Sequence, residues 1–165
     1  MKDPADPGIA ARRTDVAWEW CRFDDLGVRR LQAIHRARQR VFVVEQACAF
    51  LDADDYDEVA FHLCASTPGR TDPVAYARVV DPGAKYEEPS IGRVLTTSAT
   101  RGQGLGRELV RQAIVRTQVA WPGQCIRISA QRRLEGFYSA FGFTPIGAAY
   151  LDDGIEHIDM LLGPD

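Results

Sequence analysis

Arg101-Gly102-Gln103-Gly104-Leu105-Gly106 stands between a strand-like run over residues 91–97 and a helical run that ends near Val119. Lacking a Cβ, Gly102, Gly104 and Gly106 allow a tight turn and a close approach of backbone to a ligand. The helix that follows presents its unpaired N–H groups and the positive end of its dipole. The expected guest is an anion. A dinucleotide fingerprint needs a glycine at position 107, where the chain has Arg107, and an acidic ribose partner about 20 residues further on, where Trp121-Pro122-Gly123-Gln124 is neutral. A P-loop needs Gly-Lys followed by Ser or Thr, and the chain reads Gly106-Arg107-Glu108.

Composition narrows the setting. The 165 residues, 45% of them hydrophobic, suit one domain that buries a core, expected over 15–165, behind a loose Pro-, Asp- and Arg-rich tail over 1–14. With 20 basic and 23 acidic residues the formal charge is -3, so no global field favours nucleic acid or an anionic membrane, and any anion site is local. No run approaches the roughly 18 apolar residues of a membrane span, and Met1-Lys2-Asp3-Pro4-Ala5-Asp6-Pro7-Gly8 has no signal-peptide core. A cytoplasmic location is expected. Cys21, Cys48, Cys64 and Cys125 form no CxxC pair and read as reduced, mostly buried thiols. His62-Leu63-Cys64 lacks a second ligand pair at zinc spacing, so no metal is assigned.

Periodicity orders the elements. Trp18-Glu19-Trp20-Cys21-Arg22-Phe23 predicts a first strand, and Leu31, Ile34, Ala37 and Val41, spaced by three and four, predict a helix from Val28 to about Arg40. Its arginines, Arg29, Arg30, Arg36, Arg38 and Arg40, read as a solvated face. Asp52-Ala53-Asp54-Asp55-Tyr56-Asp57-Glu58 reads as a solvent-exposed acidic turn that lacks calcium-loop spacing. Strands over 59–65, 74–80 and 91–97, separated by Pro- and Gly-containing turns, predict an antiparallel meander. The helix from Gly104, a strand over 126–130, a helix from about Arg133 to Phe141 and a hairpin at Asp152-Asp153-Gly154 complete an α/β domain.

Arg101, Gly104 and Gly106 fill the Arg-x-x-Gly-x-Gly pattern of the acyl-CoA pyrophosphate loop, and the chain resembles the GNAT N-acetyltransferase superfamily. A second landmark is Ile126-Arg127-Ile128-Ser129-Ala130 leading to Phe137-Tyr138-Ser139-Ala140-Phe141-Gly142-Phe143. Arg40-Val41-Phe42-Val43-Val44-Glu45-Gln46, Ala75-Tyr76-Ala77-Arg78-Val79, Ile91-Gly92-Arg93-Val94 and Asp153-Gly154-Ile155-Glu156-His157-Ile158 are similar to the ElaA-like branch, so the likeness runs from about Trp18 to Leu162. The resemblance implies a mixed, mostly antiparallel central sheet flanked by helices and splayed between strands 4 and 5. It also implies acetyl-CoA as acyl donor and a small-molecule or peptide amine as acceptor. From the charge balance no nucleic-acid or membrane partner is expected, and the closing strand near His157 to Leu162, free to pair within the chain or with a partner's strand, leaves monomer or homodimer open.

It carries roles to particular residues. The pyrophosphate meets the loop Arg101, Gly102, Gln103, Gly104, Leu105, Gly106 and Arg107, the pantetheine arm meets the backbone of Val94, Leu95 and Thr96, and Gln131 and Phe137 complete the CoA site. Gln131 stands where many relatives have Asn. Tyr138 occupies the place of the general acid that protonates the leaving thiolate, or it is a core tyrosine beside Phe137 and Phe141. The strand over 90–97 lacks the Glu that several relatives use as base. Glu45, after the apolar run Val41-Phe42-Val43-Val44, is one candidate base and also reads as a helix-end acid paired with an arginine. His62 and His157 are the others, each also readable as structural, and His157 also as an acceptor contact. Arg78 and Arg93 sit inside strands, where charge must be matched. Either they pair with Glu45, Asp55 or Glu58, or one faces an acidic group on the acceptor. The leading reading is transfer of an acetyl or short acyl group from acyl-CoA to a primary amine by direct attack. The alternative is a catalytically idle acyl-CoA-binding module.

Overall fold

The computed structural model describes residues 16–164, so the tail expected over 1–14 lies outside the described residues. Strands β2 (Ala60–Ser66), β3 (Pro73–Val80) and β4 (Ser90–Thr96) form the antiparallel meander, with β1 (Ala17–Arg22) on its outer edge. β5 (Ile126–Gln131) lies parallel to β4, and β7 (Ile155–Leu162) inserts between β5 and β6 (Thr144–Asp152), giving the order β1-β2-β3-β4-β5-β7-β6. Asp153 (φ 47°) and Gly154 (φ 78°) are the two left-handed residues of the β6–β7 turn, as an Asp-Gly hairpin requires. The closing strand therefore pairs within the chain.

Strand alternation decides which helix each side chain meets. Leu63, Ala65, Ala75, Ala77 and Val79 pack toward α2 (Leu105–Ala120) through its Leu109, Val110 and Ala113. Cys64 and Tyr76, on the other face, pack with Ile34 of α1 (Gly27–Arg38). The first helix runs past its expected end near Arg40 as a π-helical turn, Gln39–Glu45, in which Gln46 N–H donates to Val41 O and Cys48 N–H to Val43 O, each at 3.2 Å. The helix expected from Arg133 begins as a 3-10 turn, Arg132–Leu134, and becomes the short α3 (Glu135–Ser139).

Two departures from a regular sheet shape the centre. Arg78 faces Gly92 and Tyr76 faces Leu95, so Arg93 and Val94 together oppose Ala77. Arg93 takes φ 51° in this bulge, a conformation uncommon for a non-glycine residue. β4 and β5 share a single register pair, Ser90 with Arg127, next to which Arg127 N–H donates to Pro89 O at 3.0 Å. Beyond that point the strands part, and their facing backbone groups have no ladder to join. This is the splay implied for strands 4 and 5.

Candidate active site

The opening between β4 and β5 is a cleft of about 350 Å³. Gly92, Arg93 and Val94 form one wall, Ile128, Ser129, Ala130 and Gln131 the other, and Tyr138 closes its side. Phe42 and Gln46 of the π-helical turn region border it, and Gln131 Nε2 donates to Gln46 Oε1 at 3.2 Å across the gap. Arg133 Nε also donates to Gln131 Oε1 at 3.0 Å, which fixes the Gln131 amide from both sides.

Tyr138 is 7% exposed, and its ring packs edge-on against Phe137 at 5.1 Å and Phe143 at 6.1 Å. Burial pushes its phenol up to about 12, so it stays protonated at neutral pH. Tyr138 is thus a packed core ring, as one reading had it, and it also borders the cleft. Phe137 stacks edge-on with Phe141, and the Arg107 guanidinium lies 5.8 Å from the Phe137 ring, tying the start of α2 to α3.

The glycine loop lies at the surface beside the cleft. Gly102 (φ 78°) and Gly104 (φ 79°) adopt the left-handed conformation that glycine permits, and Gly104 caps α2. Gly106 instead lies inside the helix. Arg101 Nε donates to Thr96 O at 3.1 Å, and its Nη2 meets Glu45 Oε2 at 2.5 Å. Glu45 is therefore a helix-end acid in an ion pair with the loop arginine. Neither it nor the loop lines the cleft, and Leu95 and Thr96 continue β4 beyond the lining residues.

Three expectations change. His62 is fully buried: its Nδ1 lies 2.8 Å from Tyr76 Oη and its Nε2 3.0 Å from Asp57 O, which leaves no ring nitrogen for an acceptor. Burial first of all lowers its pKa, so it is held neutral in the core. Arg78, 2% exposed, binds Asp54 and lies 2.6 Å from Asp57 Oδ1, so it does not face a ligand. Its partners are these two aspartates and not Glu45, Asp55 or Glu58. The solvated reading also fails for Arg38 and for Asp52 and Asp57 of the acidic run, while Asp55 and Glu58 are exposed as expected. Arg38 is fully buried, with Nε 2.8 Å from Asp52 Oδ2 and Nη1 2.7 Å from Asp57 Oδ1, and both aspartates are buried. Three arginines from α1, β3 and β4 converge on the 52–57 segment because each buried charge needs a counter-ion.

Arg93 sits between the two roles foreseen for it. Its Nε lies 2.8 Å from Asp52 Oδ1, its Nη2 3.3 Å from Asp54 Oδ2, and the side chain also borders the cleft. His157 lines the cleft as well, with Nδ1 2.8 Å from Ile155 O. Since a carbonyl only accepts, Nδ1 carries a proton, and the neutral tautomer that fits this contact has its lone pair on Nε2. Sequence reasoning missed Phe42, Phe50 and Lys85, which also line the cleft. Lys85 had one visible signal: it and Lys2 are the only lysines among 20 basic residues.

No group of three or more His, Cys, Asp or Glu side chains fit to hold a metal occurs among the described residues. Among them, no helix is long and apolar enough to cross a membrane. The four cysteines are free thiols; Cys64 is buried and the other three are partly exposed.

Comparison with known proteins agrees with this geometry. Residues 69–163 match the family model described as an acetyltransferase (GNAT) domain. A UPF0039 protein of Synechocystis sp. is 45% identical over 150 residues, covering 89% of this chain and 95% of that protein. Protein ElaA of Escherichia coli is 34% identical over 145 residues, covering 88% and 95%. The crystal structure of E. coli ElaA superposes with a TM-score of 0.82 at 33% identity, covering 89% of this chain and 99% of that one. An acyl-CoA N-acyltransferase from Pseudomonas aeruginosa gives a TM-score of 0.85 at 35% identity, covering 90% and 99%. With its split sheet, its glycine-capped helix and a tyrosine on the cleft, the chain belongs to the GNAT acetyltransferase family, among relatives of ElaA.

Proposed function

We propose that residues 15–165 act as one acyltransferase domain, which moves an acetyl or other short acyl group from acyl-CoA to a primary amine by direct attack. The observation that carries this reading is the parting of β4 from β5 with Tyr138 on its side, next to the left-handed Gly104 that opens α2. The parted strands fit a pantetheine arm, whose amides match the β5-facing backbone of Val94, Leu95 and Thr96. The α2 N-terminus, with the N–H groups of Gln103 to Arg107 and the side chains of Arg101 and Arg107, fits the pyrophosphate. Glu45 holds Arg101 in place beside Thr96 O. Gln131 and Phe137 flank the same arm. When bound, the donor supplies an activated thioester carbonyl.

The residues of the chain then position and move protons. The splayed backbone orients the thioester and polarises its carbonyl. Tyr138 donates its phenolic proton toward the departing sulfur. Of the proposed bases, His157 fits best, since it lines the cleft and its Nδ1 contact with Ile155 O selects the tautomer whose lone pair is on Nε2. No covalent enzyme intermediate is needed. The test is calorimetric titration with acetyl-CoA followed by thiol-release assays on a panel of amines, with Tyr138→Phe alongside. Micromolar binding and release that falls in the variant uphold the reading. Binding without release on any amine supports an idle acyl-CoA-binding module, and no binding refutes both.

A further inference from the structure

One cation on the cleft stands outside the ion pairs of its neighbours. Arg38, Arg78 and Arg93 stand against Asp52, Asp54 and Asp57, three cations on three anions, all within hydrogen-bond or ion-pair contact. Lys85 adds a fourth cation beside this cluster, on the cleft, and makes no ion pair within 4.0 Å among the described residues. Its Nζ instead lies 5.8 Å from the Tyr56 ring and 5.2 Å from the Tyr86 ring. Although the residue as a whole is exposed, the surroundings disfavour its charge: burial of the ammonium lowers its pKa first, Arg78 and Arg93 next, and Asp54 and Asp152 only partly offset them. Asp152 lines the same cleft but acts on Lys85 from beyond ion-pair distance. Arg93 directs Nε and Nη2 to aspartates, and its Nη1 makes no hydrogen bond among the described residues. The guanidinium is backed by the Phe50 ring at 5.4 Å.

An unpaired ammonium and an open guanidinium edge, walled by aromatic rings, form a site that gains from a negative charge. We propose that Lys85 and Arg93 Nη1 form an anion subsite at the acceptor end of the cleft, and that the amine acceptor therefore carries a carboxylate. The inference rests on the acyltransferase reading and deepens it. Arg78, buried behind this pair, serves the subsite only by holding Asp54 and Asp57 in place.

The experiment compares dipeptides with the same dipeptides capped as C-terminal amides, under saturating acetyl-CoA, in the wild type, Lys85→Ala and Lys85→Arg. The free acids are expected to be preferred at least about tenfold in kcat/KM, equivalent to about 1.4 kcal/mol. In Lys85→Ala the preference disappears through KM with kcat little changed, and Lys85→Arg restores most of it. Equal use of acid and amide by the wild type overturns the proposal, as does a preference that survives in Lys85→Ala. A loss of acetyl-CoA affinity in Lys85→Ala also overturns it, since the lysine then serves the donor. So does an acetyl group found on Lys85 by mass spectrometry after incubation with acetyl-CoA alone, which makes the lysine an acceptor itself. Calorimetry with N-acetyl dipeptides and their amides in the presence of CoA reads the subsite without turnover. Should no amine release thiol, the transferase reading fails, while binding of the acid that is lost in Lys85→Ala still upholds the anion subsite.

Discussion

Two residues bear most of the proposed chemistry, and each reaches its role through local physics. Gly104 holds φ 79° at the cap of α2, where an L-residue meets a left-handed cost of roughly 1–2 kcal/mol. Gly104→Ala is expected to strain the helix start and weaken acetyl-CoA binding in calorimetry. Gly123→Ala, equally left-handed at φ 76° but in the turn after α2, should cost similar stability and leave acetyl-CoA affinity unchanged. For Tyr138, loss of the hydroxyl in Tyr138→Phe should lower kcat by about 10²–10⁴, the usual contribution of a positioned acid, with the KM for acetyl-CoA nearly constant. Because burial raises the phenol to about 12, it keeps its proton as pH climbs, so its deprotonation should place no alkaline limb on kcat below about pH 10. Both residues were legible in the sequence through glycine spacing and the Phe-Tyr that follows a strand. For His62 and Glu45 the structural readings were legible but not their partners, which lie far off in sequence: Tyr76 is 14 positions from His62, and Arg101 is 56 from Glu45.

At the scale of elements, turn signals and alternation predicted the meander, the α2 start and the closing hairpin, because strand and helix periods are local properties. The π-helical extension Gln39–Glu45 escaped, since a run such as Val41-Phe42-Val43-Val44 shows an apolar face but not the width of its turns. The parting of β4 and β5 came only from family resemblance; no residue pattern in either strand declares it. It makes a direct prediction. Backbone N–H groups that would complete a ladder between 93–96 and 128–131 lack one, so those amides should exchange with deuterium faster than the paired amides of β3 in the free protein. Saturating CoA should slow peptides spanning 93–96 while leaving β1 peptides unchanged. If exchange at 93–96 is the same with and without CoA, the pantetheine arm does not lie along β4.

At the scale of the whole molecule, a cluster of Arg38, Arg78 and Arg93 with Asp52, Asp54 and Asp57, buried except at Arg93 and Asp54, joins elements distant in sequence. It anchors the 52–57 segment to α1 and to the bulge of β4. An acidic run reads as solvated when only its neighbours in sequence are visible, and the arginines that neutralise it lie 14 to 41 positions away. Breaking such a cluster by removing one partner leaves buried charge uncompensated, so Arg38→Met should destabilise by about 3–5 kcal/mol in urea unfolding. The same region sets the response to acid. The pKa of His62 is lowered in the fold, burial being the largest cause, so the unfolded chain binds its proton first. Its contribution to stability is complete above the ordinary histidine value of about 6.5 and is lost as pH falls below it. Asp57 is also lowered: burial alone would raise it, and Arg38 and then Arg78 outweigh that. Its stabilisation persists down to the ordinary aspartate value of about 3.9 and fails below that. Urea midpoints should therefore begin to decline as pH drops from 7 toward 5, with a second and steeper decline below about pH 4. His62→Gln should flatten the first decline and leave the second. A wild-type midpoint that stays constant from pH 7 to 5 would show that His62 takes up its proton as readily in the core as in the unfolded chain.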